Sequence, residues 1–368
     1  MSQDQKLKPL PYPVYFVFQP ITRELQAVLD PLNNQPVEQV LDQIFQDNYK
    51  TKVGSAPINW SLQPYIQLKR RGLDVRLVSD YVPGQICVVP YDYLSTRGLP
   101  FNAYIVACQY DRGRPEICEQ RVIQNKLNAI TPSDHYLPHW PQPNLKIRDQ
   151  SRGPIIETLA YKGREHHLAP AFKSPEFLEA LRSLNIKLSF SNCENGLQQA
   201  WLDWSNYTTS DVVLAVRNSS EYHLSFKPAS KLINAWFAGC PALLGSESAF
   251  QQLRESELDY IEVHSPGDVI SALRQLQENP GLYEAMVENG FQRAKSFTPD
   301  AISLLWRNVL AGPIASGYEH WLHQPKVWKL FGRPTQFAWR AIKHRRTSQY
   351  FWDQVRNALK TFPESEIA

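Results

Sequence analysis

Short apolar runs alternate with longer amphipathic segments along the first half of the chain. The apolar runs have the length and the β-branched and aromatic content of buried strands. They occupy residues 14–19, 73–80, 86–92 and 103–111. Between them, the spacing predicts helices at 38–48 and 61–72, while Gly and Pro predict a loop at 52–60. Strands separated by helices are typical of a parallel α/β sheet.

A second series of strands and helices begins after a proline-rich segment. Residues 137–154 contain four prolines and no hydrophobic period, which is typical of a linker between domains. Beyond it, strands are predicted at 155–163, 186–191, 211–217, 242–245 and 259–264. Helices are predicted at 174–185, 197–207, 266–279 and 281–297.

The pattern divides the chain into a first domain at 1–150, a second at 151–312 and a C-terminal helical extension at 313–368. A chain of 368 residues is too long for one core and suits two domains with an appendage. Two α/β domains joined by a linker predict a cleft between the carboxyl ends of two sheets, where open α/β folds bind ligands.

Residues 225–245, SFKPASKLINAWFAGCPALLG, combine a loop, a helix and a strand. Apolar residues at i, i+1, i+4 and i+5 form one helical face, and Gly239 is expected to end the helix. Unpaired N–H groups and the positive end of the dipole lie at the helix start. Lys227, Ser230 and Lys231 add two charges and a hydroxyl there, so the segment predicts an anion site.

Composition adds limits to this picture. Hydrophobic residues make up 43% of the chain, and no apolar run approaches the roughly 18 residues of a membrane-spanning helix. The first twenty residues lack the regions of a secretory signal, so a cytoplasmic protein is expected. The five cysteines form no C-x-x-C pair, and Cys87, Cys108 and Cys240 lie in apolar runs. They are predicted as buried thiols rather than disulfides or metal ligands.

Charge is concentrated near the C-terminus. Residues 320–360 hold nine Lys or Arg, one acidic residue and eight aromatic residues, whereas the whole chain has a net charge of +3. Such interleaving suits an anionic membrane surface. Packing of these rings against the first domain is slightly favoured over the membrane, and nucleic acid is far less favoured.

The second half resembles the donor-binding domain of GT-B glycosyltransferases, which have two Rossmann-like domains, as in family 1 and family 4 nucleotide-sugar enzymes. The resemblance lies in YKGR (161–164), DVVLAVR (211–217), KPASKLINAWFAGCPALLG (227–245) and the ending at 279–298. Residues 53–79 resemble the first loop, helix and strand of the acceptor domain. The resemblance therefore implies an α/β GT-B fold with a C-terminal helical extension.

The same resemblance implies a site for the donor. Its two phosphates would lie over the helix start at Ser230, with Lys231 or Lys227 neutralising the charge that grows on the leaving nucleoside diphosphate. Further donor contacts are implied for Gly163, Arg164, Arg217, Glu221, Leu232, Asn234 and Glu247. Asn234 replaces a glutamate that contacts ribose in family members, and for Arg217 an ion pair with a neighbouring carboxylate is the alternative.

The base that deprotonates the acceptor is expected at a strand end of the first domain. Asp111 is the first candidate and Asp92 the second, since both follow apolar strands. Arg112 and Arg114 are expected either to bind an anionic acceptor or to hold the carboxylate, and a salt-bridged turn is an equal alternative for Asp111.

Taken with the resemblance, these residues predict a hexosyltransferase-like enzyme that moves a sugar to a glycan or lipid-linked hydroxyl, in surface polysaccharide or glycolipid assembly. No Asp-x-Asp pattern occurs, so neither a metal nor a cofactor is expected. A non-catalytic GT-B-like protein that binds nucleotide or glycan is the alternative. Asn234 and the absence of a basic residue after Arg164 favour that alternative. A third reading is a membrane-associated scaffold, because the C-terminal extension could serve as a peripheral membrane contact.

Overall fold

The computed structural model describes residues 6–29, 40, 44, 55–95, 100–191 and 203–361. The chain forms two compact units. The first comprises Met1–His139, Phe226–Pro228 and Pro299–Arg356, and the second comprises Trp140–Ser225, Ala229–Thr298 and Asn357–Ala368. The predicted division at 150 and 312 differs from these limits, because residues 299–356 return to the first unit.

Each unit contains a parallel sheet. The strands are β1 Val14–Val17, β2 Val75–Val78, β3 Ile86–Pro90, β4 Tyr104–Gln109, β5 Gln120–Ile123, β6 Asp134–Tyr136, β7 Thr158–Tyr161, β8 Lys187–Phe190, β9 Val212–Ala215, β10 Ala242–Leu244 and β11 Ile261–Glu262. The first sheet has the order β2-β1-β3-β4-β5-β6 and the second the order β11-β10-β9-β7-β8. All of these neighbours pair in parallel. The predicted α/β class, with one parallel sheet per unit, is confirmed.

Helices connect the strands. They are α1 Arg23–Leu29, α2 Gln63–Arg70, α3 Pro175–Ser183, α4 Ser230–Ala238, α5 Pro266–Glu278, α6 Pro280–Ala294, α7 Pro299–Val309, α8 Ala315–Leu322 and α9 Arg333–Thr361. Shorter α-helical pieces lie at Ser55–Pro57, Glu221–Leu224 and Ser248–Gln251, and π-helical turns at Ile58–Leu62, Leu310–Ile314 and Trp328–Gly332. Single 3₁₀ turns lie at Tyr91–Tyr93, Pro100–Asn102, Lys126–Asn128, Gln150–Arg152, Glu165–His167, Pro170–Lys173 and Lys295–Phe297.

Helix α4 ends where the sequence predicts. Gly239 has a φ of 68° and forms the C-cap of α4. A Cβ on Gly239 would lie 2.6 Å from the ring of Phe291 on α6. The glycine is therefore required both by its left-handed backbone and by the approach of α6.

The loop predicted at 52–60 is wrong within the described residues. Helical structure begins at Ser55 and continues through the π turn into α2. Ile58, Trp60 and Leu62 are almost fully buried, and the Ser61 hydroxyl donates to the Val17 carbonyl over 2.7 Å. Burial of this apolar face outweighs the turn signals that Gly and Pro give locally.

Strands β5 and β6 were missed by the hydrophobic pattern. The second residue of β5 is Arg121, whose guanidinium is buried and bonds Glu116 and Asp134. Asp134 itself opens β6 and is held by Arg114 over 2.8 Å. Long-range ion pairs make these polar strands compatible with burial, and a pattern of apolar residues cannot show them.

Two predicted helices lie largely outside the described residues. Of the helix at 38–48, only Val40 and Ile44 are described, and both are helical and buried. Of the helix at 197–207, residues 203–205 are helical, and the earlier part is not described.

The prediction of buried thiols is confirmed for Cys87, Cys108 and Cys240, as it is for Cys118. Burial raises the pKa of Cys87 to about 11 and of Cys240 to about 12. Such thiols stay protonated at neutral pH and act as small core residues.

The second unit is built around a buried carboxylate, that of Asp211 at the start of β9. Its Oδ1 accepts hydrogen bonds from Arg148 and Arg152, over 2.8 and 2.9 Å. Its Oδ2 accepts from Arg152 and from the backbone N–H groups of Glu157 and Thr158, each over 2.9 Å. One side chain thus fixes the linker and the start of β7 together.

The substitution Asp211→Asn tests this carboxylate. We expect it to lower the free energy of unfolding of the full chain at pH 7 by about 3–5 kcal/mol, because the buried Arg148 loses its counter-charge and Arg152 keeps only Glu157. Asp74→Asn is the control, since the Asp74 side chain is 56% exposed and, among the described residues, pairs with Arg76 alone. We expect the control to change stability by less than about 1 kcal/mol.

The difference should depend on pH with a defined sign. Burial of Asp211 raises its pKa, but bonds from Arg152 and the backbone outweigh this effect and hold the pKa below its ordinary value of 3.8. The carboxylate therefore stabilises the fold above about pH 4, and this contribution is lost as the pH falls through the lower folded pKa. Urea unfolding of wild type and variant should converge in acid. A gap that is constant from pH 7 to pH 3 would contradict the assignment.

Candidate functional site

The candidate donor site lies at the carboxyl ends of three neighbouring strands of the second sheet. β7 ends before Lys162, β9 ends two residues before Arg217, and β10 ends three residues before Glu247. Because the strands are parallel and adjacent, the residues that follow them meet at one edge of the sheet. The N-terminus of α4 follows β9 in the chain and belongs to the same unit.

At this edge, α4 meets the turn after β7. The ammonium group of Lys231, in the first turn of α4, donates a hydrogen bond to the Lys162 carbonyl. It also lies 4.7 Å from the centre of the Tyr161 ring. A Cβ on Gly163 would lie 3.1 Å from both Lys231 Nζ and the Tyr161 ring. Glycine at 163 therefore makes room for the lysine.

A buried ion pair lies beside this junction. Arg217 Nη1 contacts Glu247 Oε2, and the two side chains are 12% and 2% exposed. The Arg217 guanidinium also lies 5.7 Å from the centre of the Phe250 ring. Burial raises the pKa of Tyr161 to about 12, with Arg217 acting to lower it and Glu247 to raise it. Tyr161 thus stays protonated at neutral pH, and its hydroxyl is close enough to Arg217 and Glu247 for their charges to act on its pKa.

The pairing of Arg217 with a neighbouring carboxylate is the alternative that the sequence left open. Because Glu247 compensates the charge of Arg217, both side chains are held in place as one neutral unit. Their predicted contact with a donor would therefore use the remaining donor and acceptor atoms of a fixed pair rather than a mobile cation.

Arg164 and Ser230 lie at the ends of the same two segments. Arg164 is half-buried and directly precedes the 3₁₀ turn Glu165–His167. Ser230 is half-buried and is the first residue of α4. The first backbone N–H groups of a helix point out of its N-terminus, so Ser230 and Lys231 present donors there.

Four other residues predicted for the donor have different surroundings. The Leu232 side chain is fully buried in the core. Asn234 is 8% exposed, and its Oδ1 accepts a hydrogen bond from the Gln142 backbone over 3.0 Å. Asn234 thus anchors the linker through Oδ1, and its contact with ribose stays a prediction. Glu221 is exposed at the start of a four-residue helix, and no described hydrogen bond joins it to the other candidates.

Lys227, the fourth of these residues, belongs to the first unit. Its ammonium group lies 2.6 Å from Asp111 Oδ2, the carboxylate that the sequence predicts as the acceptor base. The Phe226 carbonyl accepts a hydrogen bond from Gln124, and the Lys227 carbonyl accepts one from Asn125. The segment 226–228 is thus bound to residues that follow β5, and Lys231 is left as the lysine at α4.

The carboxyl ends of β3, β4 and β5 carry a second cluster, in the first unit. Asp111, which follows β4, accepts hydrogen bonds from Lys227 and from Gln124 over 2.8 Å. Asp92, which follows β3, lies 3.2 Å from Arg112 Nε. Both carboxylates are partly exposed, at 38% and 39% of the side chain. Sequence and structure agree that two carboxylates stand at adjacent strand ends.

Arg114 does not hold Asp111. Its guanidinium bonds both carboxylate oxygens of Asp134, over 2.8 and 2.9 Å. Burial raises the pKa of Asp134, but the bonds from Arg114 and from the Thr131 backbone outweigh this and lower it. Arg114 therefore anchors the fold, and Arg112 is the arginine beside the candidate bases.

Sequence reasoning did not assign roles to Lys162 and Gln124. The Lys162 ammonium donates to the Asn206 carbonyl over 2.5 Å and lies 4.8 Å from the centre of the Tyr207 ring. Burial lowers the pKa of Lys162. Gln124 directly follows β5 and bridges Asp111 and Phe226. Only its place after a strand could have indicated it, and that strand was not predicted.

Among the described residues, no group of three or more His, Cys, Asp or Glu side chains is arranged to hold a metal ion. Within the same part of the chain, no helix has the length and apolar content needed to cross a membrane.

Comparison with known proteins finds solved structures that resemble the chain at low sequence identity. No family model matches the chain, and no curated protein matches it in sequence. Three similar solved structures are the Anabaena HepE protein with UDP-glucose, the pneumococcal O-GlcNAc transferase GtfA with UDP and GlcNAc, and WaaG, a glycosyltransferase involved in lipopolysaccharide biosynthesis. Their identities to this chain are 9%, 13% and 12%, and their TM-scores are 0.46, 0.45 and 0.41.

These matches differ in how much they cover. They include 83%, 66% and 68% of this chain, and 100%, 58% and 95% of the HepE, GtfA and WaaG chains. The chain also spans only 57% of the matched chain of the GtfA/B complex. All three TM-scores are below 0.5, so the resemblance to GT-B glycosyltransferases stays a prediction from the sequence.

The substitution Gly163→Ala tests the junction of β7 and α4. The new Cβ would press on Lys231 Nζ, which can move, and on the buried Tyr161 ring, which cannot. We expect unfolding free energy to fall by about 1 kcal/mol. Gly245→Ala is the control, because its Cβ would meet neighbours only at 3.5 Å or more. Equal unfolding midpoints for the two variants in urea would argue against a tight junction.

Proposed function

We propose that the chain transfers a sugar from a nucleoside-diphosphate donor to a hydroxyl acceptor. The observation that carries the proposal is the junction at which Lys231, in the first turn of α4, reaches across Gly163 to the end of β7. A helix N-terminus favours an anion through its N–H groups and its dipole, and a lysine beside it adds a full charge. The donor's diphosphate has the matching charge and size.

Transfer requires the donor to lose a nucleoside diphosphate. Negative charge grows on that leaving group as the sugar–oxygen bond breaks, and a fixed cation stabilises the charge most at the transition state. We assign this role to Lys231, with Arg164 as the second cation. The buried Arg217–Glu247 pair would line the site beside them. A metal ion is not part of this proposal, because Lys231 and the α4 N-terminus supply the positive charge.

The acceptor is proposed to bind at the first unit, where Asp111 and Asp92 follow adjacent strands. One of them would take the proton from the attacking hydroxyl. Asp111 is held by Lys227 and Gln124, and Asp92 by Arg112. Both carboxylates are therefore oriented before an acceptor arrives, which favours a role in catalysis over a purely solvated one.

The finer part of the proposal concerns the acceptor's setting. We propose a glycan or lipid-linked acceptor in surface polysaccharide or glycolipid assembly, with the chain at the periphery of a membrane. Exposed aromatic and basic residues of α9, described below, support this setting.

Thermal unfolding with nucleoside diphosphates tests the donor site. UDP, GDP, CDP, ADP and dTDP are each added to the full chain, since a ligand that binds only the folded state raises its melting midpoint. We expect one of them to raise the midpoint by a few degrees when it is present at about 100 times its Kd. The substitution Lys231→Ala should remove that shift.

Lys187→Ala is the matched control, because Lys187 is an exposed lysine at the start of β8 in the same unit. It should keep the full shift. A shift that persists in Lys231→Ala would remove the central assignment. A shift in the wild type without turnover of any sugar donor would instead favour the non-catalytic binding protein.

Substitution of the two carboxylates tests the acceptor side. Asp111→Asn or Asp92→Asn, whichever removes the base, should lower kcat by about 100-fold or more while the nucleotide shift is kept. Release of nucleoside diphosphate is measured in buffer with EDTA, so that metal independence is tested in the same assay. Asp74→Asn, at an exposed site, is the control.

Three outcomes would count against this part of the proposal. Loss of turnover in EDTA would contradict metal independence. Equal, small effects of both Asp→Asn variants would place the base elsewhere. Loss of the nucleotide shift in these variants would mean that they disturb the fold rather than the acceptor.

A further inference from the structure

One side of helix α9 packs on the first unit. Phe351 is 1% exposed and its ring lies 5.4 Å from that of Phe226. Arg340 bonds Glu119 over 2.7 Å, and the Phe337 ring lies 5.8 Å from that of Phe101. For these residues the packing alternative of the sequence is confirmed. The opposite side of the same helix is therefore turned away from the unit's core.

The opposite side of α9, together with the helical residues 326–332 that directly precede it, is apolar and exposed. Val327, Phe331, Trp339 and Ile342 are 71%, 70%, 62% and 54% exposed. Their spacing of four, eight and three residues places them on one helical face. Leu330 and Trp328 are exposed beside them, at 68% and 45%. A contiguous set of exposed large apolar side chains on one helix marks an interaction surface.

The same face carries positive charge. Lys326 precedes the apolar residues, while Arg345 and Arg346 follow Ile342, and all three basic side chains are exposed. None of the three forms an ion pair with a described residue. The one acidic residue between 320 and 360, Asp353, pairs with Arg356 over 2.6 Å. Together, these residues form a surface that we call the docking face: Lys326, Val327, Phe331, Trp339, Ile342, Arg345 and Arg346.

We propose that the docking face binds the surface of a bilayer that contains anionic lipids. Its apolar side chains would enter the boundary between headgroups and acyl chains, and its basic side chains would meet lipid phosphates. The exposed apolar residues are spread along residues 326–346, about 30 Å at 1.5 Å per residue, so this segment would lie flat on the surface. With 29 residues α9 is long enough to cross a bilayer, but no helix of the described residues is both long and apolar enough to do so.

Two other occupants fit the docking face less well. A nucleic acid would pair with the three cations, but it would leave Val327 and Ile342 with no apolar surface to cover them. A second copy of the chain would cover the apolar side chains, but it would bring three like charges against three. Of these three occupants, the anionic bilayer alone satisfies both the apolar and the basic part of the face.

A further contact relates the docking helix to the acceptor residues. The Arg112 guanidinium lies 5.3 Å from the centre of the Trp352 ring on α9 and pairs with Asp92 after β3. Helix α9 is thus connected to the candidate base Asp92 through one residue, Arg112. That the membrane presents the acceptor rests on the proposed function, whereas binding of the face to lipid does not.

Flotation of the full chain with vesicles tests the proposal. Vesicles of phosphatidylcholine with 30% phosphatidylglycerol are compared with pure phosphatidylcholine, in low and high salt. We expect binding to the anionic vesicles, weakened by salt and at least tenfold weaker on the neutral ones. Arg345→Gln with Arg346→Gln should weaken binding by about tenfold or more, because each cation near the surface adds about 1 kcal/mol.

An apolar variant and matched controls complete the design. Phe331→Gln, Trp339→Gln and Ile342→Gln together should abolish binding to either vesicle. Leu304→Gln with Leu305→Gln removes exposed apolar residues of α7, and Arg182→Gln with Lys187→Gln removes exposed cations of the second unit. Both control pairs should bind vesicles as the wild type does. Helicity and melting midpoints are measured for every variant.

Each result supports or overturns the proposal. No flotation of the wild type, or equal flotation of the docking-face variants with unchanged helicity, would overturn it. Tighter binding to a duplex oligonucleotide than to vesicles would overturn the proposal in favour of nucleic acid. A wild-type dimer that becomes monomeric in the apolar variant would overturn it in favour of a second copy of the chain. The nucleotide shift, measured without vesicles, reports on the proposed function separately, so that either can fail alone.

Discussion

The second unit depends on one buried carboxylate. Asp211 receives two arginines of the linker and two backbone N–H groups at the start of β7, while it opens β9 itself. Since β7 and β9 are parallel neighbours, fixing where they start also fixes where they end. Those far ends carry Gly163 and Arg217. The ion pairs of Asp211 at one edge of the sheet thereby help to position the candidate donor-site residues at the other edge.

At that far edge, the site depends on how closely two segments approach. Gly163 leaves the space that the Lys231 ammonium occupies, and Gly290 of α6 lies against Trp236 of α4 in the same way. A Cβ at 290 would meet the Trp236 side chain at 3.1 Å. Helix α4 is therefore approached closely by two glycines, Gly163 at its first turn and Gly290 near its C-terminal end.

The aromatic residues of the C-terminal extension occur in two environments, the buried contact with the first unit and the exposed surface. Tyr318 and Trp321 pack against Tyr104 with ring centres 5.6 and 6.0 Å away, whereas Phe331 and Trp339 stay exposed. Aromatic and basic residues occur in both groups. The two groups differ in the helical face on which each residue lies. Which face is buried is decided only by how the helix packs on the first unit.

The sequence alone determined the features that depend on local spacing, such as the strands around Val88 and Val213 and the end of α4 at Gly239. The hydrophobic period and the backbone preferences of residues depend on their neighbours in the chain, so the sequence alone shows them. Only tertiary structure decided that Asn234 binds the linker and that Lys227 pairs with Asp111. Those partners are 92 and 116 residues apart, and no local pattern encodes which distant groups a buried polar side chain will meet.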